Sequence, residues 1–247
     1  MTEQSGFLER DGERLAWRRI EGGGPTVVWL GGYRSDMTGT KAQALADAAQ
    51  ARGWSFLRFD YSAHGASSGD WLDATIGRWK GDALAVIDAL SDGPVVLVGS
   101  SMGGWMACLA AIARPERLHA LVLIAPAPDF TELLMRPGLS PEARLALESD
   151  GVWMQPADFD GPYAITRRFL DEGRDHLILD ARVSIACPVR ILQGQRDESV
   201  PWAHALRLAD ALESEDVIFT LSKSGDHRLS TPADIERLIS TVDAARG

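Results

Sequence analysis

The sequence predicts an α/β protein built on a mostly parallel eight-stranded sheet flanked by helices. Three observations carry that expectation. Short β-type runs alternate with helical patterns along most of the 247 residues, as βα units around a parallel sheet require. A hairpin signal precedes them, and the rhythm breaks only once, between about Pro128 and Cys187.

In chain order, Asp11-Gly12 separates strand candidates at 7–10 and 14–20. A two-residue turn with φ > 0 at both positions suits this pair and places an antiparallel hairpin at the N-terminus. Runs at 26–30, 55–61, 95–99, 119–125, 189–193 and 217–221 read as strands. Between them, 40–51, 75–90, 102–114, 202–212 and 232–244 carry apolar residues at three- and four-residue spacing and read as amphipathic helices. In the break, where a strand is due, come Pro137, Pro141, Pro156, Gly161 and Pro162 with short helical pieces. This predicts a small helical lid over 128–186, inserted into a single 1–247 domain ahead of the strand that carries an acid. Its apolar residues Leu133, Leu134, Met135, Trp153, Met154, Phe159, Phe169 and Leu170 either line a ligand groove or pack the insertion onto the domain. Leu133, Met135, Trp153 and Phe169 are the candidates for contact with substrate.

Composition narrows the function classes. With 45% hydrophobic and 24% charged residues the chain is of ordinary globular type. Its formal net charge of -10 disfavours nucleic acid and anionic lipid, which need clustered Lys and Arg. No apolar run approaches the roughly 18 residues of a membrane span. Cys108 and Cys187 sit in apolar context and suggest neither a disulfide framework nor a metal cluster. No ligand spacing or dinucleotide fingerprint implies a metal or cofactor. The first ten residues lack the basic head and apolar core of a secretory signal, and the expectation is a cytoplasmic chain.

The chemistry concentrates at the ends of three strands. Val95-Val-Leu-Val-Gly99-Ser-Ser101-Met-Gly103-Gly104 is a buried strand running through Gly-x-Ser-x-Gly into a helix of small residues, the context of a nucleophile elbow. Ser101 is the nucleophile candidate, and the motif phase puts Ser100 on the strand side. Asp197, in Gln193-Gly-Gln-Arg-Asp197-Glu198, lies just beyond a later strand, and His227 lies beyond the next. Nucleophile, acid and base therefore follow in the order Ser, Asp, His. Glu198 and Asp226 rival Asp197 as the acid. His64, His119, His176 and His204 fall at positions that suit structural roles. Leu30-Gly31-Gly32-Tyr33 ends the first parallel strand.

These residues resemble the α/β-hydrolase family over the whole chain. Gly32-Tyr-Arg-Ser-Asp-Met-Thr-Gly-Thr-Lys-Ala42, Arg58-Phe-Asp-Tyr61, Val98-Gly-Ser-Ser-Met-Gly-Gly-Trp105 and Gly225-Asp-His-Arg-Leu-Ser230 are similar to one branch of it. That branch is the mitochondrial palmitoyl-protein thioesterases, also called mycophenolic acid acyl-glucuronide esterases. Without a transit peptide the chain resembles a bacterial relative. The resemblance implies an oxyanion hole of the Tyr33 and Met102 N–H groups, and a turn at 60–69 that shapes the pocket floor without taking part in chemistry. It implies hydrolysis of a small acyl ester, an acyl-glucuronide ester or an S-acylated protein. A non-hydrolytic binding protein on the same fold and a serine peptidase are the alternatives.

Overall fold

The computed structural model describes residues 2–156 and 161–247; Phe159 lies outside the described residues. Strands β1 (Glu3–Arg10) and β2 (Glu13–Ile20) pair antiparallel across Asp11 (φ 51°) and Gly12 (φ 84°), the two left-handed positions a tight hairpin needs. Next come β3 (Gly23–Leu30), α1 (Thr40–Arg52), β4 (Trp54–Phe59), α2 (Ile76–Leu90), β5 (Val95–Ser100), α3 (Met102–Ala113) and β6 (Leu118–Ile124). An inserted segment then intervenes. It holds a π-helical turn, Thr131–Met135, that runs into α4 (Arg136–Gly138), then α5 (Pro141–Ser149), β7 (Val152–Gln155), β8 (Tyr163–Thr166) and α6 (Arg167–Glu172). The chain closes with β9 (Val189–Gly194), α7 (Trp202–Ala211), β10 (Val217–Ser222) and α8 (Pro232–Arg246).

The main sheet has eight strands in the order β1-β2-β4-β3-β5-β6-β9-β10. From β4 onward all neighbours run parallel, so the β3, β5, β6, β9 and β10 ends meet at one edge. Side chains alternate across it into two cores, as the two-residue period of a strand dictates. Val28, Leu30, Leu97, Leu121 and Leu123 face α2, α3 and α7, whereas Val27, Trp29, Val96, Val98 and Val122 face α1 and α8. Local caps fix the helix starts: Thr75 accepts from Arg78 N at α2, and Thr231 with Asp234 forms a capping box at α8.

The insertion joins the first core through Phe130, Leu147, Ile165, Phe169 and Leu170. Where a small helical lid is expected, β7 and β8 pair antiparallel as a second, two-stranded sheet. Four-residue strands are too short to announce themselves by alternation, and such a hairpin is marginal alone. Tertiary contacts supply the missing stability: Ile165 is buried, and Trp71 Nε1 donates to Ala164 O at 2.8 Å. The two ends of the insertion are tied by Asp129, buried and left-handed (φ 57°), whose carboxylate accepts the N–H groups of Ile178 (2.9 Å) and Leu179 (2.8 Å).

Asp129→Ala leaves those two N–H groups without their acceptor, at about 1–3 kcal/mol for each unsatisfied group. Hydrogen exchange should then accelerate at 129–135 and 173–180 while the main sheet stays protected. Asp129→Asn, which tolerates the left-handed backbone and keeps one acceptor, should lie much closer to the wild type.

Candidate active site

Ser101 sits between β5 and α3 with φ 56° and ψ −118°, a conformation that non-glycine residues seldom adopt and that costs on the order of 1–3 kcal/mol. Its surroundings enforce it. A Cβ on Gly99 would lie 2.3 Å from Gly103 O, and one on Gly103 would lie 2.0 Å from Leu30 O, so neither position admits a side chain. Ser101 N donates to Ile124 O at 2.9 Å, and its carbonyl accepts from Gly104 N (2.9 Å) and Ala127 N (3.1 Å). Met102 opens α3, so its N–H has no partner within the helix.

The loops after β9 and β10 meet because Gly194 packs on backbone: a Cβ there would fall 2.5 Å from both Gly225 O and Asp226 O. That contact brings two side chains together. His227 Nδ1 and Asp197 Oδ2 are 2.8 Å apart, with the Asp197 side chain fully enclosed. Asp197 also accepts from the N–H groups of Ser199 (2.9 Å) and Val200 (2.8 Å) and from Gln193 Nε2 (3.2 Å). Burial pushes its pKa up, but the hydrogen bonds from His227 and Val200 outweigh it and hold the carboxyl below its ordinary value. Gln193 is a supporting residue that sequence reasoning missed; a fully buried amide at a strand end is visible only in the fold. Glu198 is exposed, and Asp226 caps its own loop through Arg228 N and Leu229 N.

The remaining histidines have other partners. His176 bonds Glu172 (2.9 Å), His204 bonds Pro128 O (2.7 Å), and His119 is exposed. His64 is buried between Ser62 O and Arg34 N, and burial lowers its pKa.

Ser101, His227 and Tyr33 line two cavities. One, of about 440 Å³, is polar and includes Ser35, Lys41, Arg228 and Ser230. The other, of about 340 Å³, is bounded by Met102, Phe130, Leu134, Met135, Tyr163 and Val200, among others. Of the expected wall residues, Met135 and its neighbour Leu134 reach it. Leu133 and Trp153 are instead half-buried against the core, with Trp153 Nε1 3.3 Å from Gln155 Oε1. Phe169 is only 3% exposed and stacks on Tyr33. Phe169 packs down onto Trp79 of α2 instead of facing the opening. Phe130 and Tyr163 take the vacated places; neither carries a motif, so only the fold reveals them. Neither thiol competes as nucleophile, because burial raises both pKa values, that of Cys187 to about 11. Among the described residues no group of three or more His, Cys, Asp or Glu could hold a metal ion, and no helix is long and apolar enough to cross a membrane.

The profile of the alpha/beta hydrolase family matches residues 23–239. Mouse mitochondrial palmitoyl-protein thioesterase ABHD10 is 41% identical over 240 residues, 96% of this chain and 80% of that protein. Among solved structures, a putative hydrolase from Agrobacterium vitis S4 superposes with a TM-score of 0.93 at 40% identity, covering 100% of this chain and 99% of that one. The alpha/beta hydrolase domain-containing protein 10 from mouse does so at 0.89 and 40% identity, covering 98% and 97%. These comparisons correct one expectation. The near-full-length relatives are named as mitochondrial, which conflicts with a purely cytoplasmic chain. The first ten residues are too few to assign a compartment.

The Asp197 geometry has a consequence for stability. A carboxyl whose folded pKa is depressed contributes stability that is present above its unfolded pKa and lost as pH falls through the folded value. Urea unfolding of Asp197→Asn should therefore show a deficit against the wild type at neutral pH that shrinks as pH drops below about 4.

Proposed function

Because this chain belongs to the alpha/beta hydrolase family, we propose that it is a serine hydrolase that cleaves carboxylic esters and thioesters through an acyl-enzyme on Ser101. The observation that carries this is the 2.8 Å bond between His227 and the enclosed Asp197, at cavities that Ser101 shares. Asp197 holds Nδ1–H, which leaves Nε2 to accept the Ser101 proton as Oγ attacks the acyl carbon. The N–H groups of Tyr33 and Met102 receive the oxyanion. Collapse of the tetrahedral intermediate expels the thiol or alcohol, protonated by His227. The same imidazole then deprotonates a water that attacks the acyl-enzyme and returns the proton to Ser101.

The likeness to palmitoyl-protein thioesterases supports S-acylated proteins and small acyl esters as substrates. The acyl chain takes the apolar cavity, with the 128–186 insertion as a lid over a single 1–247 domain. A second reading is an acyl-glucuronide esterase. What favours it is the excess of positive charge in the polar cavity, Lys41 and Arg228 against Asp36, which suits a leaving group that bears a carboxylate. A pure binding protein or a peptidase would use the same fold differently; ester, thioester and amide assays separate them.

Ser101→Ala should abolish turnover and fluorophosphonate labelling with the far-UV spectrum unchanged. Asp197→Asn should lower kcat by about 10⁴, with Glu198→Gln near neutral. Retention of most activity in Ser101→Ala would refute the mechanism.

Each methylene buried in the apolar cavity contributes about 0.8 kcal/mol. kcat/KM should rise from acetyl to medium-chain p-nitrophenyl and thioester substrates, and Met135→Ala should flatten that rise without changing the acetyl rate. Trp153→Ala, away from the lining, should leave the slope intact.

A further inference from the structure

The segment 60–69 and the serine of Ser35-Asp-Met have no part in the mechanism above, yet both close on the loop that carries Tyr33. Gly32 O accepts two hydrogen bonds from the same residue, Ser35 N at 3.1 Å and Ser35 Oγ at 2.9 Å. In a trans peptide the carbonyl of one residue and the N–H of the next point in opposite directions within one rigid plane. No cis bond occurs among the described residues, so fixing Gly32 O fixes the direction of the Tyr33 N–H. The plane lies against the nucleophile: a Cβ on Gly32 would stand 3.5 Å from Ser101 Cβ and 3.3 Å from Ser100 O.

The next peptide is fixed from the other side. Arg34, left-handed at φ 58°, donates its N–H to His64 Nε2 at 3.3 Å. That bond requires Nε2 to be unprotonated, so the proton resides on Nδ1 and is donated to Ser62 O at 3.1 Å. Ser62 O also accepts from Trp79 Nε1 at 3.1 Å, and Asp60 Oδ1 accepts from Met37 N at 2.7 Å, anchoring the far end of the loop. The backbone from Gly32 to Met37 is thus held by side chains at three points. Two of them flank the Tyr33 amide.

We propose that Ser35 and His64 are positioning residues of the oxyanion hole: Ser35 orients and polarises the Gly32–Tyr33 peptide, and His64 locks the peptide that follows. A hydrogen bond accepted at a carbonyl strengthens the N–H of the same unit as a donor, so Ser35 acts where negative charge develops on the substrate oxygen. This rests on Tyr33 N–H as an oxyanion donor in the serine hydrolase proposed above.

The test uses Ser35→Ala, Ser35→Thr, His64→Leu and His64→Gln in the full chain, with a p-nitrophenyl ester as substrate and an alkylboronic acid as tetrahedral probe. Ser35 is exposed, so its loss leaves the core intact. Ser35→Ala should lower kcat about ten- to a hundredfold, short of the 10²–10³ that follows removal of an oxyanion donor itself. KM should change less than threefold, and boronate affinity should fall in proportion to kcat/KM. Ser35→Thr, which keeps the hydroxyl, and His64→Gln, which keeps an acceptor for Arg34 N–H, should recover most of what Ser35→Ala and His64→Leu lose. Wild-type kcat in Ser35→Ala, or a loss of kcat with boronate affinity unchanged, would overturn the proposal. Fluorophosphonate mass labelling at Ser101 separates the two levels. If the wild type is labelled there while Ser35→Ala turns over normally, only the positioning role fails. If the wild type is not labelled there, the serine hydrolase fails and takes this role with it.

Discussion

The site depends on backbone packed against backbone where side chains cannot fit. Gly103 brings α3 against the end of β3, with its absent Cβ 2.0 Å from Leu30 O. That single approach lifts Ser101 clear of the sheet edge and lays the Gly31-Gly32-Tyr33 loop beside it. Gly194 repeats the device between the loops after β9 and β10, and Asp197 and His227 meet as a result. The side chains come second: they occupy positions that the strand ends and their glycines have already set.

The same constraint explains what the sequence discloses. A parallel sheet puts all its C-terminal ends on one edge, so residues as distant as Ser101, Asp197 and His227 can be assigned to one place from strand order alone. The Asp11-Gly12 hairpin is equally legible, because its cause lies within four residues. Legibility ends where direction is tertiary. Whether Phe169, Trp153 or Met135 faces the opening depends on how short elements settle on the core, which no periodicity encodes. The β7–β8 hairpin is hidden for the same reason. The roles of Gln193 and Ser35 do not show in the strings that contain them, because those roles are hydrogen bonds to partners that only the fold supplies.

The electrostatics follow a matching pattern. Asp197 is enclosed, and a lone buried carboxylate would be costly. Two backbone N–H groups, one amide and the imidazole surround it, so that it remains an anion in a place that alone would favour the acid. His64, buried among Tyr61, Trp71 and Trp79, is held in the opposite sense: burial keeps it neutral, and neutrality lets one ring nitrogen accept while the other donates.

The Tyr33 ring sits within 6 Å of the ring centres of Trp71 and Trp79 from the domain and of Phe130, Tyr163 and Phe169 from the insertion, and Arg34 lies 4.1 Å above Tyr163. One residue therefore lines both cavities that Ser101 shares and sends its side chain among the rings of the insertion. The packing of the insertion and the shape of the cavities at Ser101 cannot drift independently in such a molecule. A transplant of the insertion from a relative would seat on this domain in the same way only if it also restored the three aromatic rings that Tyr33 leans on.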